Sequence, residues 1–251
     1  MGLDWNLKLL EKSICFFDFD NTLYRGQTRY LILDFSIYLE SFAAFNSQDL
    51  VHLNSLFTSY QAGNLKRFDF AIQVVLTYYH GLTGSKWNVI DQHAHNFCKD
   101  LPESAWFEYT FPLVNLIKQY SIPILISGSP IEILSHARKL LGIDEVYASR
   151  GIIRDGIYTG GMELEMATQA SKTQKVFELS TNLDFNPQTS FAFGDSSSDF
   201  PLLQAVDPKN AYLLIANDHQ KIEVVDKNWN LLDQDITLIE HVQDRIHTLF
   251  S

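Results

Sequence analysis

Residues 13–20, Ser-Ile-Cys-Phe-Phe-Asp-Phe-Asp, form a short apolar run rich in β-formers, and the pattern predicts a buried strand. From about residue 28 to 120 the period becomes helical. Leu31, Phe35, Tyr38, Leu39 and Phe42 recur at i, i+4, i+7, i+8 spacing, and Leu50, Leu53, Phe57 and Tyr60 do the same behind a predicted N-cap at Ser47. Aromatics crowd this stretch, Gly63, Gly81 and Gly84 punctuate it, and it carries no strand signal.

Strand–helix alternation then resumes. Ile122–Ser127 reads as a strand, and Ser129-Pro130-Ile131-Glu132 opens a helix with Ser as N-cap, Pro at N1 and Glu at N3, which Gly142 closes. Glu145–Ser149 is a short strand, and Gly151–Thr159 a hairpin turning at Asp155-Gly156. Residues 170–180 are helical, Thr189–Phe193 is a strand, Asp199–Val206 a short helix and Ala211–Ala216 a further strand. Such alternation implies right-handed crossovers and a parallel sheet. The helical block therefore reads as an insertion into one α/β domain, after its first strand.

Composition narrows the function classes. The chain has 251 residues, 46% hydrophobic and 20% charged, enough for a sizeable core and unlike a disordered chain. No apolar run approaches the roughly 20 residues that span a bilayer, and the opening MGLDWNLKLLEK is not patterned as a signal peptide. Cys15 and Cys98 are the two cysteines, too few for a disulfide framework, so a reducing, cytoplasmic setting is expected. Nineteen Lys and Arg against thirty Asp and Glu give a net charge of −11, which argues against nucleic acid and anionic membranes as partners. No protein partner is implied.

The candidate chemistry lies at strand ends, where parallel α/β sheets bind ligands. The first strand runs into Asp18-Phe-Asp20-Asn-Thr-Leu23, with both carboxylates on one side and Phe19 turned to the core. Neighbouring carboxylates repel unless a cation sits between them. The second strand ends at Ser127-Gly128-Ser129, ahead of a helix N-terminus that suits a phosphate. A third runs into Gly194-Asp195-Ser-Ser-Ser-Asp199. Oxygen ligands without a nearby His or Cys pair favour Mg²⁺ over zinc. His93 and His95, two apart on a helix, do not face each other, and the Glu163/Glu165 pair reads as a solvated face.

Asp18-Phe-Asp-Asn-Thr-Leu23, Ser127, Lys172 and Gly194-Asp195-Ser-Ser-Ser-Asp199 resemble the four ordered motifs of the haloacid dehalogenase (HAD) superfamily of phosphohydrolases, in the branch that includes phosphoserine phosphatase. Ser127-Gly-Ser-Pro130 followed by Leu141-Gly-Ile143, the Thr159-Gly160 hairpin, and Asn217-Asp218 ahead of Trp229 resemble further stretches of that branch, so the likeness spans residues 14 to about 230. It implies a Rossmann-like parallel-sheet core, residues 1–25 and 110–251, with an all-helical cap at 26–109. It further implies a Mg²⁺-dependent phosphatase of a small phosphorylated metabolite. Asp18 would be the nucleophile and Asp20 the acid/base. Ser127, Gly128 and Lys172 would bind phosphate. Asp18, the main-chain carbonyl of Asp20, and Asp195 would bind the metal, with Asp199 behind them orienting a metal-bound water or the lysine. Lys175, three residues from Lys172, is the fallback lysine; the 23 residues between Lys172 and Asp195 (195 − 172) match the family spacing.

Two departures bear on the substrate and the site. Phosphoserine phosphatases hold the substrate ammonium with an acidic residue shortly after the first motif; here that position is Gln27, between Arg25 and Arg29, which disfavours phosphoserine. Tyr24, Arg25, Gln27 and Arg29 are the expected specificity positions. Ser198 stands where relatives often have Asn, and a hydroxyl can still hydrogen-bond. The same residues would also serve a phosphotransferase that passes the group to an alcohol, or a non-catalytic phosphate- or metal-binding relative.

Overall fold

The computed structural model describes residues 13–215 and 228–250. The opening twelve residues, Ala216 and the Asn217-Asp218 pair lie outside them. The strands are β1 (Ile14–Phe17), β2 (Ile122–Pro130), β3 (Glu145–Arg154), β4 (Ile157–Leu164), β5 (Phe191–Gly194), β6 (Ala211–Ile215) and β7 (Asn230–Asp233), in the spatial order β4-β3-β2-β1-β5-β6-β7. All neighbours are parallel except β3 and β4. β1 is central, and all four of its residues are buried because helices cover both faces.

Period-2 alternation sorts the strand residues between two cores. Cys15, Phe17, Leu125, Phe191, Phe193 and Tyr212 face one core. Phe16, Ile124, Ile126, Ala192, Ala211 and Leu213 face the other. On the first face Phe17, Phe193 and Tyr212 stand side by side across three strands, their rings stacked at 5.0 and 4.9 Å. A slip of one residue would exchange the two faces, so this row pins the register that brings the strand ends level.

Between β1 and β2 lie α1 (Leu31–Glu40), α2 (Ser47–Gln61), α3 (Arg67–Gly81) and α4 (Trp87–Lys99), then α5 (Thr110–Ile117). The rest are α6 (Ile131–Leu141), α7 (Gln169–Leu183), α8 (Phe200–Gln204) and α9 (Thr237–Phe250). The cap of α2 is Asn46, whose side chain accepts from the Gln48 and Asp49 N–H groups; the expected cap, Ser47, is the first helical residue and donates to Glu40 instead. Gly142 closes α6 in the left-handed conformation, as expected. The hairpin turn falls at Asp155-Gly156, φ 50° and 76°, a two-residue turn with both residues left-handed. Its strands are longer than expected, because Glu145–Ser149 and the first arm of the hairpin run on as one strand.

The two links between the sheet and α1–α4 lie side by side. Tyr24 pairs with Trp106, and the N–H groups of Arg25 and Gly26 donate to the Ala105 carbonyl. At its far end the block docks on the β3–β4 hairpin, where Trp87 N–H donates to Gly156 and Tyr158 N–H to Ser85. Its inner side is tied by Tyr78, whose hydroxyl donates to Glu132 at 3.0 Å, and by Tyr79, which donates to the Ser149 carbonyl.

Candidate active site

Beyond the carboxyl ends of β1, β2 and β5, a cavity of about 70 Å³ separates the sheet from α1–α3. Asp18 leaves β1 with its N–H still donating to the Phe193 carbonyl of β5. The chain then turns sharply: the N–H groups of Thr22, Leu23 and Tyr24 all donate to the Phe19 carbonyl, and Asn21 takes a left-handed φ of 59°. Phe19, fully buried, stacks on Tyr24 and anchors the turn, so Asp18 and Asp20 both reach the cavity.

Asp20 is held at both oxygens. Oδ1 accepts from the N–H of Leu31, the first residue of α1, and Oδ2 from Ser129 Oγ, each at 2.6 Å. Ser129 is thus not the N-cap of α6; Pro130 occupies that place, and the hydroxyl goes to Asp20. Ser127 and Gly128 line the cavity beside it. A β-carbon at Gly128 would come within 2.5 Å of Ala167 Cβ, so only glycine lets the loop lie this close.

Lys172 projects from α7, fully buried, with Nζ 2.7 Å from Asp18 Oδ1 and 2.6 Å from Asp199 Oδ1. Lys175 faces elsewhere, paired with Glu178 and lying over the Tyr147 ring. Asp199 is saturated: besides Lys172, its Oδ2 accepts from Asp195 N–H, Ser196 N–H and Ser196 Oγ. It therefore shapes the turn that presents Asp195 and fixes Lys172. Gly194 is required there, since a β-carbon would fall 2.4 Å from Asp199 Cβ. At the start of α7, Glu165 is no solvated face; its carboxylate accepts from the N–H and hydroxyl of Thr168.

The electrostatics are those of crowded acids. Burial, then Asp199, push Asp18 up to about 7 against the opposing pull of Lys172. Burial lifts Asp20 to about 6 despite its two donors. Burial and its two acidic neighbours raise Asp195. Asp199 stays below the usual carboxylate range, because Lys172 outweighs burial. The carboxylate oxygens of Asp18, Asp195 and Asp199 lie within 4.8 Å of one another. Four acids (Asp18, Asp20, Asp195, Asp199) face two cations (Lys172, Arg67), leaving two negative charges that a divalent cation would balance. The oxygen-only donor set fits Mg²⁺. With Asp199 committed to Lys172 and the turn, Asp18 and Asp195 are the side chains that would hold it.

Arg67 and Asn21 were not legible as site residues. Arg67, at the start of α3, donates to Ser196 Oγ and Ser198 Oγ at 3.1 and 3.2 Å, bringing a cation from the helical block to the Asp195 turn. Burial works against its charge, and Tyr60, Asp195 and Asp199 more than restore it. No local pattern marks it, since its partners lie about 130 residues away. Asn21 lines the cavity with its buried Oδ1 lacking a hydrogen-bond partner; its place in the first motif was the available signal.

The expected specificity positions lie elsewhere. Asp34 accepts from Tyr24 OH, Gln27 N–H and Thr28 N–H, wrapping residues 24–28 around itself. Tyr24 is consequently buried, Arg25, Gln27 and Arg29 point to solvent, and none of the four lines the cavity. His93 packs against Tyr38 and Phe42, and His95 against His136. Both cysteines are buried and free. No helix among the described residues is long and apolar enough to cross a membrane.

Residues 15–204 match the haloacid dehalogenase-like hydrolase family, and the chain belongs to it. Among curated proteins it is similar to an inhibition of morphological differentiation protein of Streptomyces azureus, 28% identical over 113 residues, 44% of this chain and 39% of that one. It is also similar to a probable phosphatase of Mycobacterium tuberculosis, 31% identical over 83 residues, 33% of this chain and 29% of that one. The matches thus span well under half the length of these relatives. A substrate-bound phosphoserine phosphatase structure superposes with a TM-score of 0.65 at 18% identity, covering 92% of this chain and 98% of that one, which establishes a shared fold.

Proposed function

We propose that the chain is a Mg²⁺-dependent phosphatase of a small phosphorylated metabolite, acting through an aspartyl-phosphate on Asp18. The observation that carries this reading is the pairing of two unlike carboxyls: Asp18 clamped by Lys172, and Asp20 held by Leu31 N–H and Ser129 Oγ. An Asp18 oxygen attacks phosphorus as the ester P–O bond breaks, and Asp20 delivers its proton to the leaving alcohol. Asp20 then takes a proton from a water that attacks the same phosphorus. The bond to Asp18 breaks and inorganic phosphate leaves. A pKa near 6 suits Asp20 to both halves. Ser127, the Gly128 N–H and Lys172 hold the phosphoryl oxygens as charge redistributes. A bound Mg²⁺, held by Asp18, Asp195 and the Asp20 carbonyl, would keep Asp18 ionised at neutral pH and offset the charge of the phosphoryl group.

In this reading residues 1–25 and 110–251 are the catalytic core and 26–109 a cap that closes over the site to exclude water. Two buried free thiols suit a reducing compartment, and the cytoplasm is our assignment. Asp18→Asn is the test. Asn preserves the shape, and burial already favours the neutral form, so circular dichroism should be unchanged while Mg²⁺-dependent hydrolysis of para-nitrophenyl phosphate disappears. Retained turnover would sink the mechanism.

A further inference from the structure

The cavity has two chemically unlike walls. The sheet side presents Asp18, Asp20, Ser127, Lys172 and Asp195. The opposite side, where the leaving group must sit, is built by Ile32, Phe57, Phe70, Ala71, Val74 and Val75, each 7% exposed or less. On α3, Phe70, Ala71, Val74 and Val75 form one stripe at helical spacing. Phe57 meets Phe70 edge-on at 5.0 Å and Tyr30 at 4.6 Å, so the wall is braced by its own aromatics.

We infer that the substrate is the phosphate ester of a compact, uncharged, apolar alcohol, a short branched alkyl or an aryl group. The inference rests on the phosphatase chemistry proposed above. The α1–α3 wall contains no carboxylate. Asp34, two residues from Ile32, is turned away and consumed by Tyr24, Gln27 and Thr28, and Asp69, beside Phe70, is exposed. An ammonium in this pocket would be buried against hydrocarbon without a counter-charge, a large penalty. The one cation of that wall, Arg67, directs its two terminal nitrogens at Tyr60, Ser196 and Ser198 while its Nε stays buried without a partner, and its positive charge further disfavours an ammonium. An apolar group, by contrast, loses water on entry and meets the hydrocarbon of Ile32, Phe57, Phe70, Val74 and Val75. The small volume of about 70 Å³ selects for compactness.

The test is the ratio of kcat/KM for 3-methylbutyl phosphate to that for O-phosphoserine, measured on the full chain with Mg²⁺. Both are esters of primary alcohols, so the pocket sets the ratio. A single methylene in an apolar pocket is worth about 10- to 200-fold, and an unpaired buried charge adds to that; the expected ratio is at least about 100. Val74→Asp should move the ratio of phosphoethanolamine to 3-methylbutyl phosphate at least about tenfold towards the amine. If O-phosphoserine or phosphoethanolamine is turned over as well as the branched ester, while para-nitrophenyl phosphate still requires Asp18, the inference falls and the chemistry stands. If no ester is turned over, the chemistry falls, and calorimetry still reads the pocket. At least about tenfold tighter binding of 3-methylbutylphosphonate than of 2-aminoethylphosphonate supports the apolar assignment, and equal binding overturns it.

Discussion

Without a divalent cation, the protein should lose stability as pH rises from 4 to 7.5, and Mg²⁺ should return part of it. Asp20 supplies the clearest magnitude. Its carboxyl rises from 3.8 to about 6, so between those values the folded protein binds more protons than the unfolded chain. Stability therefore falls with rising pH across that interval and is level above it. At about 1.4 kcal/mol per tenfold change in proton affinity, Asp20 alone accounts for roughly 3 kcal/mol. Asp18 and Glu132, each pushed up to about 7, and Asp195 act with the same sign. The opposing groups lie outside the window. Asp199, held low, stabilises above the ordinary carboxylate range and loses this only as pH falls below it. Lys172, held high, stabilises at every pH below its ordinary 10.5. Urea unfolding in EDTA at pH 4 and at pH 7.5 measures the difference, expected to be at least about 3 kcal/mol in favour of acid. Mg²⁺ at a hundred times its Kd should add about 2.7 kcal/mol at pH 7.5 and much less at pH 4, where protons compete for Asp18 and Asp195. Stability that is flat or rising in EDTA, or an equal Mg²⁺ effect at both pH values, refutes the argument.

Two substitutions probe the same centre. Lys172→Met removes the cation between Asp18 and Asp199 and should cost about 3–5 kcal/mol in urea unfolding at pH 7.5, with activity reduced at least about 100-fold; near-normal stability would mean that Asp199 finds its counter-charge elsewhere. Gly128→Ala forces a methyl to within 2.5 Å of Ala167 Cβ and should destabilise by about 1–3 kcal/mol while lowering kcat. An unchanged melting temperature would show that the loop is looser than its packing implies.

What could be read from the sequence was local. Asp18, Asp20, Ser127 and Asp195 were legible because each ends an apolar strand, and strand ends in a parallel sheet converge. Lys172 needed the family spacing, since Lys175 has the same chemistry and differs only in the helix face it occupies. Ser129 was misread as a cap because its pattern suits one; only the fold shows Asp20 close enough to take its hydroxyl. The cavity wall facing the strand ends was least legible. Tyr24, Arg25, Gln27 and Arg29 follow the first motif, and Asp34 folds that segment away from the cavity. The wall comes from residues 30–75, brought over the strand ends by helix packing that periodicity cannot specify. The same limit hid Arg67 and the Tyr78–Glu132 tie, whose partners are far apart in sequence.

The central position of β1 also has a meaning in time. Ile14–Phe17 is the first of the described strands to be synthesised, but it pairs with Ile122–Leu125 on one side and Phe191–Phe193 on the other. At about 5–20 residues per second, its first neighbour arrives on the order of ten seconds later. Meanwhile α1–α4, built from short-range contacts, can be complete before β1, whose carboxyl end α1–α3 face across the cavity, has a partner. Four buried apolar residues thus wait unpaired in the nascent chain, exposed apolar surface until Ile122–Leu125 arrives. The Asp18–Lys172–Asp199 clamp forms only after residue 199 has emerged, so no shorter nascent fragment contains an assembled site.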